Sequence, residues 1–258
     1  MAKIKTQALI LRTIEFGESD LILHLLVPDV GRLPVIAKGA RRSVRRFSGT
    51  LDLFNHIRVQ VDRHRANALA RLDQASLIDP FLGIRKDVAC FALASYLFEL
   101  VSRLAPEGGV RADTQRLFSF ALGTLGTLSR QVPDTQLRTL LEFRALDALG
   151  LRPEFSRCVR CGSASAARSA THFHIQDGGV VCENCGSGMN GLLRVQPGTL
   201  RALEQGMRFE LDQLDRLVMS APSLAEAHQL LVLFQRFHVG MELKSGPFLD
   251  RVCPLGSI

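Results

Sequence analysis

Four of the six cysteines fall into two pairs, Cys158-Val-Arg-Cys161-Gly162 and Cys182-Glu-Asn-Cys185-Gly186, with 20 residues between them. No other feature of the 258-residue chain restricts its fold so tightly. Two residues between thiolates let a tight turn aim both sulfurs at one ion, and two such pairs complete a tetrahedron. The reading is a structural zinc site held by Cys158, Cys161, Cys182 and Cys185, with no position left for water or substrate. Gly162 and Gly186 are expected to relieve the backbone beyond each pair. Residues 171–175 and 179–181 read as a hairpin turned at Gln176-Asp177-Gly178, the pattern of a zinc ribbon, with His172 and His174 exposed on it. Residues 151–195 look poor in core residues, so metal binding, worth about 10–16 kcal/mol in small modules, is the expected force that folds them. Redox pairs are the alternative, but neither pair stands in the strand-to-helix setting of thioredoxin-like chemistry. Cys90 reads as a buried inert thiol.

Upstream of the cysteines the hydrophobic period changes once. Residues 6–14, 21–27, 32–37, 51–62 and 68–78 read as five short strands, with Ile57, Val59 and Val61 alternating against Arg58 and Gln60. Pro28-Asp29-Val30-Gly31 is a turn whose glycine can take positive φ, joining the second and third strands. So many strands without a crossover helix favour a small antiparallel barrel of the oligonucleotide-binding (OB) type, although an SH3-like barrel fits the spacing nearly as well. After Pro80 the pattern is helical, over 84–104, 111–130 and 134–149, the last ended by Gly150 and Pro153. Helices return after Pro197. Ser223-Leu-Ala-Glu226 reads as a capping box opening a helix with Leu224, Ala227, Leu230, Leu231, Phe234 and Phe237 on its apolar face. The expected class is α+β and multidomain. An N-terminal five-stranded OB-fold β-barrel (1–80) is followed by a helical bundle in two parts (81–150 and 196–258), with the zinc-ribbon-like module (151–195) inserted.

Charge points to a partner. The chain carries a formal +7, and residues 1–80 hold 13 Lys and Arg against 8 Asp and Glu. Lys38, Arg41, Arg42, Arg45 and Arg46 lie within nine residues that contain no acid, where the barrel would present a long loop. Such clusters attract phosphate backbones through counterion release, without reading bases. Arg12, Arg32, Arg58, Arg63, Arg65 and Arg71 lie on neighbouring barrel segments and strengthen a nucleic-acid reading over a merely solvated loop. With no Trp and one Tyr, stacking platforms are few, and Phe47 and Phe54 are the aromatics nearest the loop. Glu15, Glu18 and Asp20 read as solvated turn acids. Phosphate-loop, Gly-x-Ser-x-Gly and His-Glu-x-x-His motifs are all absent, and so is the His-x-Glu of a zinc deaminase, so no catalytic residues are expected. The longest unbroken aliphatic or aromatic stretch, Leu230–Phe234, is far too short to span a bilayer, and no secretion signal is visible, so a cytoplasmic protein is expected.

The order of these parts resembles the bacterial RecO family of recombination mediators. "ALILRTIEFGESDLILHLLVPDVGRLPVIAKGARR" at 8–42 and "GTLDLFNHIRVQV" at 49–61 are similar to the family's barrel and its basic Ala-Lys-Gly loop. "LEFRALDALGLRPEFSRCVRCG" at 141–162 and "GGVVCENC" at 178–185 resemble its zinc module, and "RFHVGMELKSGPFLDRV" at 236–252 its closing helix. Gly246-Pro247 departs from the polar continuation usual after Leu-Lys-Ser, which lowers the charge there. The resemblance implies an OB-fold barrel, a helical domain and a non-catalytic zinc module. It further implies binding of single- and double-stranded DNA, strand annealing, and association with RecR. RecA loading and engagement of the acidic C-terminal tail of single-stranded-DNA-binding protein are implied too, in a cytoplasmic, nucleoid-associated setting. Arg236, Lys244 and Arg251 are further candidates for DNA or partner contacts. A zinc-ribbon protein-interaction or transcription-associated module without annealing activity is the competing reading.

Overall fold

The computed structural model describes residues 2–43, 45–63, 69–164 and 172–255. Arg65, the expected strand start at Ala68, and Thr171 of the expected hairpin lie outside the described residues. The chain forms two compact units, Met1–Val132 and Pro133–Ile258.

In the first unit, β1 (Ala2–Phe16), β2 (Asp20–Val27), β3 (Gly31–Ala37), β4 (His56–Arg63) and β5 (Ala70–Asp79) pair in the order β1-β2-β3-β5-β4. Pairing of β4 back onto β1 closes the ring, and β3 meets β5 in parallel, the Greek-key order of an OB-like barrel. β1 is longer than its apolar pattern suggested because it serves two partners: residues up to Leu9 pair with β4, and residues from Leu9 onward pair with β2. A bulge between Ile10 and Arg12 supplies the bend this needs. Inward residues alternate along each strand, among them Ala8, Ile10, Leu23, Leu25, Leu33, Val35, Val59 and Leu72.

The expected fourth strand over 51–62 is corrected: pairing begins at His56. Residues 47–55 form turns, with Thr50 N–H on the Phe47 carbonyl and Asn55 N–H on that of Asp52. Phe54 takes φ 71° and is fully buried, edge-on to Phe91 (5.5 Å) and Phe98 (5.3 Å) of α1 (Val88–Leu104). Alternating Leu51 and Leu53 imitate a strand, but the burial they report belongs to a plug under the barrel. Residues 82–86 are a 3₁₀ turn rather than the start of α1. The helix begins at Val88 because the Asp87 carboxylate accepts from the amides of Ala89 and Cys90.

The change of period at Pro80 is not the edge of a compact unit. α1 and α2 (Arg111–Arg130) group with the barrel because the segment between them is sewn to the β2–β3 turn. Arg32 N–H donates to the Pro106 carbonyl, Gly108 N–H to that of Val30, and Thr114 Oγ1 to that of Pro28 at 2.7 Å. Gly31 sits at φ 77° where a Cβ would fall 2.7 Å from the Pro106 oxygen, so both backbone conformation and space demand glycine.

The second unit contains α3 (Thr135–Ala148), β6 (His172–His174), β7 (Gly179–Val181), a single turn α4 (Glu183–Gly186) and β8 (Leu192–Arg194). α5 (Pro197–Gly206), α6 (Ala221–His238) and α7 (Gly246–Val252) complete it. α3 is capped by Asp134 and ends in a Schellman motif, with Leu151 N–H on the Leu146 carbonyl and Gly150 N–H on that of Asp147. The expected capping box is corrected. Pro222 starts α6 earlier, Ser220 is its cap, and Glu226 reaches across to Gln196 N–H (3.0 Å) and Thr199 Oγ1 (2.6 Å) at the start of α5. Arg138, buried in α3, joins Glu142 at 2.8 Å, Asp250 of α7 at 2.5 Å and the Cys253 carbonyl, while Gln235 of α6 binds the other Glu142 oxygen.

The cysteine segment has more core than its composition suggested. Phe155, Phe173, Val180, Val181 and Val195 are buried, and aromatic contacts run from Phe143 of α3 through Phe155 and Phe173 to Phe234 of α6. The segment therefore shares the core of the second unit. Its hairpin is joined by β8, giving a sheet in the order β7-β6-β8.

Candidate nucleic-acid interface and metal centre

The basic loop leaves β3 through Gly39 (φ 66°) and makes a 3₁₀ turn over Ala40–Arg42. Hydrogen bonds to its backbone fix its course. Asp20 Oδ1 accepts from Gly39 N–H at 2.7 Å, Arg41 N–H donates to the Ser19 carbonyl, and Arg46 N–H to Ser43 Oγ. The Arg46 carbonyl accepts from Ala75 N–H of β5, and its guanidinium donates to the Lys38 carbonyl while lying 4.9 Å over the Phe47 ring. Lys38, Arg41, Arg42 and Arg45 are exposed and Arg46 is half-buried.

The turn acids are not simply solvated, as the sequence suggested. Glu15 meets Arg41 at 3.2 Å and Glu18 meets Arg42 at 3.5 Å, both at the surface. The signal was present in the chain as three acids on a turn facing five cations, but nothing local showed that the β1–β2 tip and the loop would meet. Phe47 and Phe54 are buried and offer no face to a base. Phe16 was overlooked: it is 53 % exposed at the end of β1, between the two paired glutamates.

Arg12 is exposed on β1, while Arg32 on β3 is half-buried and pairs with Glu107 at 2.8 Å. Arg58 is exposed and Arg71 pairs with Asp73 at 3.2 Å. Arg236, Lys244 and Arg251 belong to the second unit and are all exposed. Arg236 lines a cleft of about 390 Å³ with His174, Ile175, Gln176, Gly191, Leu233 and Phe237.

The four cysteines converge as their spacing predicted. Their sulfurs all lie within 4.8 Å of one another, with Cys158 and Cys182 buried, Cys161 exposed and Cys185 half-buried. Among the described residues no other group of His, Cys, Asp or Glu could hold a metal. Each pair sits in a turn closed by its own backbone, Gly162 N–H on the Cys158 carbonyl and Gly186 N–H on that of Cys182. Gly162 takes φ 73°, as expected; Gly186 ends a helical turn without positive φ, and Gly188 (φ 80°) takes that role instead. Burial pushes the Cys158 thiol up, but the amides of Cys182, Cys161 and Arg160 outweigh it and bring it down to about 6. Hydrogen bonding to the Cys182 thiol, with burial and the Cys161 and Cys158 sulfurs adding to it, drives Cys185 up to about 12. Four thiolates this close cannot all ionise without a cation among them, so the donor set fits a soft divalent metal with tetrahedral preference. His174 is corrected: it is buried, not exposed, and its Nδ1 lies 2.8 Å from Asp177, which also pairs with Arg160 at 2.6 Å.

Together these features define a protein of the OB-barrel class whose basic loop sits on one unit and whose four-thiol centre sits on the other. Residues 1–81 match the family model "Recombination protein O N terminal", and residues 85–247 match "Recombination protein O C terminal". The chain is 32 % identical to DNA repair protein RecO of Anaeromyxobacter dehalogenans over 99 % of both chains. It is 33 % identical to that of Myxococcus xanthus, over 98 % of this chain and 99 % of the relative. Against that of Bacillus subtilis the identity is 29 %, over 96 % of this chain and 94 % of the relative. The chain belongs to the RecO family of DNA repair proteins. Among the described residues no helix is long and apolar enough to cross a membrane.

Proposed function

We propose that the protein is a recombination mediator that grips single- and double-stranded DNA through Lys38, Arg41, Arg42, Arg45 and Arg46, with Arg12 and Arg32 extending the track. The observation that carries this reading is the loop itself: a backbone anchored at both ends presents cations to solvent, where they can neutralise phosphates at little ordering cost. Neutralising two strands at once favours annealing, and neither annealing nor RecA loading together with RecR needs bond chemistry, so no catalytic group is assigned. The site for the acidic tail of single-stranded-DNA-binding protein is the cleft of the second unit. There Arg236, which has no carboxylate partner among the described residues, stands beside Leu233 and Phe237. Lys244 and Arg251 are further contacts for DNA or partner. Cys158, Cys161, Cys182 and Cys185 hold one zinc ion, which neutralises the crowded thiolates and fixes the β6–β8 module; it does no chemistry on DNA.

The test is the salt dependence of binding to random-sequence duplex, measured by gel shift. Five phosphate contacts give a slope of log affinity against log salt of about −4.5. A slope near −1, or no binding at moderate salt, removes the loop from the function and favours the protein-interaction reading.

A further inference from the structure

The outer face of β1–β2–β3 carries a polar cluster that the basic loop does not include. Arg12 and His24 face each other across β1 and β2, with Pro34 beyond His24 on β3. Arg32, opposite Leu26, stands one pair further along on the same face. Among the described residues His24 Nδ1 and Arg32 Nε are buried with no hydrogen-bond partner, a condition rare in folded proteins that calls for an explanation such as a bound ion. Arg12 is exposed and meets no carboxylate among the described residues. The single acid in the cluster is Glu107, 55 % exposed, which touches Arg32 from the segment between α1 and α2. Nearby on α2, Arg111 is occupied by Asp29 at 2.9 Å.

We infer that Arg12, His24 and Arg32 form a subsite for one backbone phosphate, which His24 joins by taking up a proton as the phosphate binds. This rests on the DNA-binding reading and adds to it a defined anchor away from the loop. Without a phosphate, Glu107 pairs with the Arg32 guanidinium at 2.8 Å. A phosphate supplies more acceptor oxygens than that carboxylate, and it brings the negative charge that two arginines and a protonated His24 would need. His24 is neutral in the free protein: burial first, then Arg32 and Arg12, lower its pKa, while Glu107 raises it. An anion between the two arginines reverses the arginines' effect and favours imidazolium. Proton uptake on binding makes affinity rise as pH falls, with a limit of about tenfold per pH unit for one proton.

The test uses the full chain with a fluorescent random-sequence 30-mer at constant salt from pH 5.5 to 8, beside an NMR titration of the His24 ring with and without inorganic phosphate. The expected result is affinity rising towards low pH at up to about tenfold per unit, with that rise lost in His24→Gln. Phosphate should raise the His24 pKa in the wild-type chain. Glu107→Gln, an exposed change that leaves the fold intact, should tighten binding and move the pH-dependent rise to lower pH. Arg12→Gln should weaken binding and reduce the salt slope by about one. Equal pH dependence in wild type and His24→Gln, or weaker binding by Glu107→Gln, overturns the subsite while leaving the loop's role standing. Failure to bind the 30-mer with a phosphate-raised His24 pKa retains the subsite and overturns the DNA reading. An unmoved pKa overturns the subsite.

Discussion

Replacing Glu15 and Glu18 together with glutamine should tighten DNA binding. Both acids hold arginines of the loop, Glu15 at 3.2 Å while 71 % exposed and Glu18 at 3.5 Å while 90 % exposed. Pairs so exposed contribute about 0.2–1 kcal/mol each, and each is given up when its arginine turns to a phosphate. Removing both oppositions is therefore worth about 0.4–2 kcal/mol, or about two- to thirty-fold in Kd. The gain should be largest at low salt and fade towards physiological ionic strength, because exposed pairs are screened within about 8–10 Å. Fluorescence anisotropy on a labelled duplex at several salt concentrations reads the effect, with Arg41→Gln/Arg42→Gln as the opposite perturbation. That second variant should lose about 1.8 from the salt slope, two contacts' share. Tightening without a melting shift of more than a few degrees separates altered binding from altered folding. Unchanged or weaker affinity in Glu15→Gln/Glu18→Gln means that Arg41 and Arg42 never leave their glutamates, and the loop is then a structural clasp.

Three further perturbations probe other parts. Phe16→Ala should weaken single-strand binding by about 1–3 kcal/mol and leave duplex binding unchanged, since only unstacked bases can lie on its ring; equal effects on both would remove it as a platform. Arg138→Met takes the 2.8 Å guanidinium partner from Glu142, which is 2 % exposed, and should cost about 3–5 kcal/mol in urea unfolding. Because the buried carboxylate's folded pKa would rise without its cation, that penalty should shrink as pH falls towards the ordinary carboxylate range, and Arg138→Met/Glu142→Leu should recover most of it; a single-variant loss under about 1 kcal/mol contradicts the network's weight. Cys158→Ser/Cys161→Ser should lose bound zinc by metal analysis and open residues 151–195 to limited proteolysis, with barrel binding to DNA retained. Full metal content in that variant would mean the four sulfurs are not the ligands.

The sequence disclosed the parts whose signal is local. Period-two alternation located the barrel strands, and the Cys-x-x-Cys spacing located four sulfurs that meet within 4.8 Å. Gly150 marked the end of α3 by capping chemistry, while Asp134, read only as the start of its range, is its N-cap. What stayed hidden depends on partners distant in the chain. Leu51 and Leu53 alternate as a strand does, yet the segment is a plug, since Phe54 is drawn under α1 by Phe91 and Phe98. Glu226 has the spacing of a capping box, yet it caps α5 because Pro222 moves the start of its own helix. His174 reads as exposed because hairpin residues usually are, but β8 pairs on the far side of β6, making it the central strand, and His174 is buried there between Gly179 and Leu192.

Buried and exposed ion pairs differ in what they can lend to a ligand, and this difference favours the loop as the proposed DNA contact. In the second unit Arg138 and Glu142 are withdrawn from water and bound to each other, so neither can be lent to a ligand without a large penalty. In the barrel the loop's backbone is held at Gly39 by the Asp20 carboxylate and at Arg46 by the Ala75 amide, neither of which uses a cationic side chain of the loop. Among the described residues Lys38 and Arg45 meet no carboxylate, Arg41 and Arg42 stand in exposed pairs whose exchange for phosphate is nearly neutral, and Arg46 donates to the Lys38 carbonyl. Position is thus fixed while charge remains available, which suits the proposed grip on DNA of any sequence. A loop ordered by its own ion pairs would lose that order on meeting DNA; this one, under the proposed function, is expected to keep it.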